Sequence, residues 1–261
     1  TWPRFCQDLL AGIPPAPVYE QERGKVKLTD SPVPRYDLLS GGKYLYYYVQ
    51  TTRGCPFQCE FCDIIITDGR VPRTKSVEQV LEEIDTIYQH GGRYISFSDA
   101  NLIANPKYAE RLLTALKAFG QRNGYPIRFS AELSLNVAGF PRILELLRDC
   151  NFESVFIGVE SPRTESLVET KKMQNIRGSI LENIRTVQSY NLIVIAGMIV
   201  GFDSDDVGIF QDMFDFLQEA GVPFTTAGVL FAIEHTPLYT RLQREGRLLE
   251  YDASTVQVHG S

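Results

Sequence analysis

Cys55, Cys59 and Cys62 stand in a C-x3-C-x2-C run, Cys55-Pro56-Phe57-Gln58-Cys59-Glu60-Phe61-Cys62. Thiolates are soft ligands that suit zinc, copper(I) and iron–sulfur clusters, and this spacing sets three of them around one small inorganic centre. No fourth cysteine stands close by, so a cluster held here keeps one metal position open, and an open iron is where a ligand can bind and react. Two plainer readings compete. A structural zinc site takes four protein ligands, and the fourth would have to come from Cys6, Cys150, His90, His235 or His259, all distant in sequence. A ferredoxin-like electron carrier normally uses four cysteines. Cys6 and Cys150 themselves read as small apolar residues.

The totals are compatible with a metal-bearing enzyme. The chain has 261 residues, of which 44% are hydrophobic, enough for one large α/β domain with a substantial core. No apolar run reaches membrane-spanning length and no signal-peptide pattern is present. A net charge of -6 argues against a general nucleic-acid surface. Five cysteines, three of them bunched, suit a reducing compartment, the cytoplasm, better than a disulfide framework. Residues 1–43, with Pro14, Pro15, Pro17, Pro32 and Pro34 and little periodicity, read as a connector from an upstream domain. Residues 44–249 read as the core, with a terminal helix-like stretch from Pro237 to Leu249, and 250–261 as the start of a C-terminal domain.

The elements that position the cysteines follow from hydrophobic period. The aromatic, β-branched run Tyr44 to Thr51 predicts the first strand, directly before the cysteine loop. Val77, Val80, Leu81, Ile84 and Ile87 mark a helix over Ser76 to His90, with Ser76 and Gln79 as a capping box and Gly91-Gly92 as its stop. Further strands are predicted at 94–97, 127–131, 154–159, 192–200 and 224–231, and helices at 106–119, 141–148, 176–190 and 205–219. Leu192 to Val200 is nearly all apolar, as a parallel strand buried on both faces should be. Strand–helix alternation implies a parallel sheet with right-handed crossovers. An open doubly wound sheet and a barrel both satisfy it. The polar and cysteine segments all follow strands, which favours a partial (β/α)6 TIM-like barrel with its site at one rim.

The cysteine motif after the first strand of a β/α series, with Gly54 before it and Phe61 before Cys62, resembles the radical SAM superfamily. That resemblance implies a [4Fe-4S] cluster on Cys55, Cys59 and Cys62, with S-adenosylmethionine (SAM) on the fourth iron. Gly197-Met198-Ile199-Val200-Gly201 is similar to the family's G-x-I-x-G segment along the adenine, and glycine lets a planar base approach the backbone. Ser204 stands where the longer pattern has a glutamate. Glu160 and Glu132, each after a strand, are placed to accept hydrogen bonds from ribose hydroxyls or the methionine ammonium. In place of the family's Gly-Gly-Glu the chain has Ser98-Asp99-Ala100-Asn101, so Asp99 and Asn101 are the expected acceptors for the amine. Lys171 and Lys172 are placed to reach the methionine carboxylate.

Within the superfamily, Pro34-Arg35-Tyr36-Asp37-Leu38-Leu39, the run Val49 to Cys55, Lys171-Lys172-Met173-Gln174-Asn175 and Thr236-Pro237-Leu238 resemble the cobalamin-dependent branch that includes hopanoid and bacteriochlorophyll methylases. The resemblance implies a methyltransferase that takes cobalamin through a domain outside this chain, a small hydrophobic substrate, and a reductase or a flavodoxin or ferredoxin as electron donor. The alternatives are a cobalamin-independent rearrangement or oxidation, and a non-enzymatic module stabilised by zinc.

Overall fold

The computed structural model describes residues 2–20, 26–39 and 43–248. Nine α-helices and eight strands are found among them. The chain opens with α1 (Trp2–Leu10) and runs to the first strand, β1 (Tyr47–Val49). A two-residue ribbon, β2 (Thr52–Arg53) against β3 (Arg73–Thr74), brackets the cysteine loop and the short helix α2 (Ile64–Thr67). The repeat then proceeds as α3 (Val77–Gln89), β4 (Tyr94–Phe97), α4 (Pro106–Asn123), β5 (Arg128–Leu133), α5 (Pro141–Asp149) and β6 (Phe152–Glu160). It continues through α6 (Thr164–Glu169), α7 (Ile180–Gln188), β7 (Ile193–Val200), α8 (Ile209–Glu219), β8 (Phe224–Val229) and α9 (Pro237–Arg244).

Strands β1, β4, β5, β6, β7 and β8 form one sheet in that order, with every neighbouring pair parallel. Strands that pair in sequence order, each joined by a crossover, build the arc expected of a partial barrel. Local signals start and stop the helices. Ser76 Oγ accepts from Gln79 N at 3.1 Å and Gln79 Oε1 accepts from Ser76 N at 3.0 Å, the expected capping box of α3. Asn105 caps α4 with Pro106 at its first turn.

Strand alternation separates two faces. Ile95, Phe97, Ala131, Val155 and Ile157 point to the helices and are buried, and Phe97, Phe129 and Phe152 stack on one another with centroids 5.3–5.7 Å apart. Ser96, Ser130, Ser154, Glu132, Phe156 and Ile195 face the inside of the arc, where with Tyr46, Tyr48 and Tyr94 they line a cleft of about 280 Å³.

The differences from the predicted elements have local causes. The first strand stops at Val49, because Thr51 and Thr52 turn to bond Asp99. A helix, α1, lies inside the stretch read as a connector. Helix α7 starts at Ile180, where Ser179 Oγ accepts from Glu182 N, and not at 176. Helix α8 starts at Ile209, because the Asp205 carboxylate is held by the backbone N–H groups of Gly201 and Phe202. Strand β8 ends at Val229, and α9 ends at Arg244, short of the expected Leu249. Leu249 and the segment 250–261 lie outside the described residues, as do parts of the stretch 1–43.

Candidate metal-cluster and cofactor site

The cysteine loop leaves the sheet at its C-terminal rim, where a parallel α/β arc gathers its sites. Gly54 makes the departure with φ +101°, and a Cβ there would sit 2.9 Å from the carbonyl oxygens of both Gly69 and Val71. Cys55 N donates to Gly69 O at 3.1 Å, closing the loop on itself. Asp99, at the end of β4, fixes the loop's root. Its Oδ1 accepts from Thr51 N at 2.6 Å and Thr52 N at 2.8 Å, and its Oδ2 accepts from Thr51 Oγ1 at 2.5 Å. Glu60 ties the far side, donating from its N–H to Thr170 O and accepting at its backbone carbonyl from Leu238 N. The buried Glu60 carboxylate takes both of its oxygens to Arg241 Nε, at 3.1 and 3.3 Å. Arg241 also binds Asp203, after β7, so α9 joins two rim loops.

The three thiols share one neighbourhood. Burial, then the nearby Cys59 and Cys55, push the Cys62 thiol up to about 11. Burial raises the Cys55 thiol as well, with Cys59 adding to it and Lys172 and Asn101 opposing. Cys59 is 7% exposed and accepts from Gln174 Nε2 at 3.3 Å. Asn101 Nδ2 is buried beside Cys55 with no partner meeting hydrogen-bond geometry. Cys55 and Cys62, raised in this way, keep their protons until a metal displaces them. Among the described residues no set of three or more His, Cys, Asp or Glu side chains converges closely enough to hold a single metal ion. Amide donors beside the sulfurs and a neighbouring cation fit an anionic thiolate cluster.

Behind the thiols lies a buried ion pair. Lys172 Nζ donates to Glu160 Oε1 at 2.5 Å, and both residues are under 10% exposed. Burial opposes the charge on Lys172, but Glu160, Cys59 and Cys62 outweigh it and its pKa is raised. Glu160 has φ 69°, a left-handed conformation that is strained for a residue with a Cβ and collects at functional sites. Room for the pair comes from Gly158, where a Cβ would fall 2.3 Å from Glu160 Oε1 and 2.9 Å from Lys172 Nζ. Phe61 flanks the pair, with Lys172 Nζ 5.8 Å from its ring centroid and the Phe202 ring 6.5 Å away.

The expected SAM-binding residues thus divide. Asp99 is wholly buried, and both of its oxygens are engaged by Thr51 and Thr52. Asn101 Oδ1 is likewise taken, by Ile103 N and Ser134 N at 3.3 Å each. Glu160 and Lys172 bind each other, and Lys171 is exposed. Glu132 is different: its carboxylate makes no hydrogen bond among the described residues and opens into the cleft, while burial and then Asp99 push its pKa up. Gly197 and Ile199 share the inner face with Ile195, and a Cβ on Gly197 would come within 2.7 Å of the Phe156 ring. Gly201, with φ +97°, makes the turn after β7, bonded to Asp205. Gln174, Arg241 and Asp205 are functional supports that the motifs did not single out. Gln174 lies in the Lys171–Asn175 stretch already noted, which was its one signal.

A family model for the radical SAM superfamily matches residues 49–217. The chain is 41% identical over 251 residues to an uncharacterized methyltransferase of Synechocystis sp., covering 96% of this chain and 46% of that protein. It is 39% identical over 229 residues to the hopanoid C-2 methylase of Rhodopseudomonas palustris, covering 87% of this chain and 44% of that one. Its fold is similar to the radical SAM methyltransferase TsrM from Kitasatospora setae, solved with cobalamin and a [4Fe-4S] cluster, at a TM-score of 0.67 and 13% identity over 76% of this chain and 39% of that one. The chain spans less than half the length of these relatives.

Proposed function

The chain belongs to the radical SAM superfamily, and on that premise we propose that it is the catalytic core of a cobalamin-dependent methyltransferase. The observation that carries the reading is the C-x3-C-x2-C loop itself. Three half-buried or buried thiols hang over the rim of a parallel arc, beside a lysine and two amide donors, with no fourth cysteine at hand. Cys55, Cys59 and Cys62 would hold three irons of a [4Fe-4S] cluster and leave the fourth to SAM. When bound, these groups supply an electron, a 5′-deoxyadenosyl radical that takes hydrogen from substrate, and, from cobalamin held outside residues 1–261, a methyl group.

The protein's own work is placement and exclusion of water. Lys172 sets positive charge against the thiolates without giving up a proton, because Glu160 holds it. Glu132 is the free carboxylate of the cleft and takes a cationic or hydroxyl group of a ligand. Gly197, Ile199 and Gly201 form the wall for the adenine, and Phe61 with Phe202 shields the cluster side. The cleft beneath combines three tyrosines, Phe156 and Ile195 with Ser96, Ser130, Ser154 and Glu132, and suits a small substrate with both apolar and polar parts. Thiols kept reduced fit the cytoplasm and a one-electron donor of the flavodoxin or ferredoxin kind. No helix among the described residues is long and apolar enough to cross a membrane.

The test is anaerobic reconstitution with iron, sulfide, reductant and SAM, assayed for 5′-deoxyadenosine. The wild-type chain should turn brown and form it, and Cys59→Ala should not. A colourless protein with one zinc, or full turnover by Cys59→Ala, would refute the reading. Methyl transfer that needs added cobalamin in the whole protein would separate methylation from cobalamin-independent radical chemistry.

A further inference from the structure

Gln174 is 5% exposed, and the one hydrogen bond its side chain makes within the described residues is to sulfur, Nε2 to Cys59 Sγ at 3.3 Å. A carboxamide buried that deeply is costly unless it is bonded, and a neutral thiol is a weak acceptor. The contact gains its full strength only when Cys59 is a thiolate, since hydrogen bonds to charged groups are the strong ones. The amide nitrogen must face the sulfur, because a thiolate accepts and cannot donate.

The placement is built by a tight turn. Lys171 adopts φ 58°, Lys172 N donates back to Leu167 O at 2.8 Å, and Asn175 N donates to Lys172 O at 3.1 Å. Asn175 Nδ2 then anchors the turn to the end of β6, at Gly158 O and Val159 O. Thr170 O, just before the turn, accepts from Glu60 N inside the cysteine loop at 2.9 Å. The turn is thus pinned to the cysteine loop before Gln174 and to β6 after it, so the donor is held in place before any ligand arrives. A second amide, Asn101, stands beside Cys55. Its Oδ1 is committed to Ile103 N and Ser134 N, which leaves its buried Nδ2, with no other partner among the described residues, for Cys55.

We propose that Gln174 is a tuning residue: its side-chain N–H raises the reduction potential of the cluster bound through Cys59, and Asn101 does the same through Cys55. The inference rests on the reading of the trio as cluster ligands. Hydrogen bonds to cluster sulfurs are among the levers that set such potentials. A donor stabilises the sulfur more when the cluster carries one extra electron, so it favours the reduced form. One electron enters from an external low-potential reductant, and Gln174 itself gains and loses neither proton nor electron.

The experiment is a redox titration of the anaerobically reconstituted chain, followed by the paramagnetic resonance of the reduced cluster, for wild type, Gln174→Leu, Gln174→Glu and Asn101→Leu. At one fixed poise the reduced-to-oxidised ratio should fall about tenfold in Gln174→Leu, which is 59 mV for a one-electron couple. Gln174→Glu keeps the size but swaps the donor for an acceptor, so its ratio should fall at least as far. Asn101→Leu should move in the same direction. Variants replete in iron and sulfide that titrate within about twofold of wild type would overturn the proposal. Loss of the cluster from both Gln174 variants would overturn it too, by making the residue a strut and not a donor. A wild-type chain that takes up no iron and sulfide sinks the reading of the trio instead, so the two failures are told apart.

Discussion

Asp99 offers a test in which stability alone reports the architecture beneath the cysteines. Its carboxylate is wholly buried, and desolvation lifts its pKa from 3.8 to about 6 despite the bonds from Thr51 and Thr52 that oppose the rise. An acid whose folded pKa exceeds its unfolded one keeps its proton longer in the folded state. Stability therefore falls as pH rises from the unfolded pKa through the folded one. The full loss is about 3 kcal/mol, of which about 1.4 kcal/mol falls between pH 5 and pH 7.5. In Asp99→Asn the Oδ1 still accepts from Thr51 N and Thr52 N, and the amide nitrogen donates to Thr51 Oγ1, with no charge to bury. Urea unfolding of wild type and Asp99→Asn at the two pH values should show the difference between them moving by about 1.4 kcal/mol in the variant's favour at pH 7.5. Asp99→Ala strands two buried backbone N–H groups and should cost about 2–6 kcal/mol at pH 5, at 1–3 for each. A wild-type-to-Asn difference that ignores pH, or an Ala variant as stable as wild type at pH 5, would refute the assignment of Asp99 as the root of the loop.

Two further substitutions probe the rest of the frame. Arg241→Ala leaves the buried Glu60 without its cation and leaves the Leu238 N–Glu60 O bond to hold α9 to the cysteine loop. It should cost up to about 3 kcal/mol and lower the iron retained after reconstitution, and unchanged iron content with wild-type unfolding would count against the latch. Gly158→Ala drives a methyl group into the Lys172–Glu160 pair. It should destabilise by about 1–3 kcal/mol, read as a lower melting temperature, and a melting temperature at or above that of wild type would show that the pair has room to spare.

Much of the frame was legible before any coordinates. The order of strands and helices follows from residue periods, and a parallel strand such as β7 announces itself because both faces are apolar. The capping box at Ser76 and the stop near Gly91 are contacts between close neighbours in sequence, which local residue types control. Boundaries were less legible where a side chain from elsewhere captured the backbone. Thr51 and Thr52 would extend β1 by their own propensity, but Asp99, 48 residues on from Thr51, turns them away. Asp205 similarly delays α8 by holding Gly201 and Phe202.

The site divides along the same line. Three thiols at fixed spacing around one small centre, and the family they point to, lie wholly in a stretch of eight residues that the sequence spells out. Which acidic and amide side chains stay free for a ligand does not. Asp99, Asn101, Glu132 and Glu160 look alike at strand ends, yet among the described residues only Glu132 keeps its side-chain oxygens unbonded, because the others meet donors brought in by Thr51, Ser134 and Lys172. Gln174 reaches Cys59 across 115 residues of chain. Spacing along the chain can fix covalent neighbours and helical or strand faces. The satisfaction of buried polar groups is a three-dimensional matter, and it was the tertiary structure that assigned each of these side chains to support or to solvent.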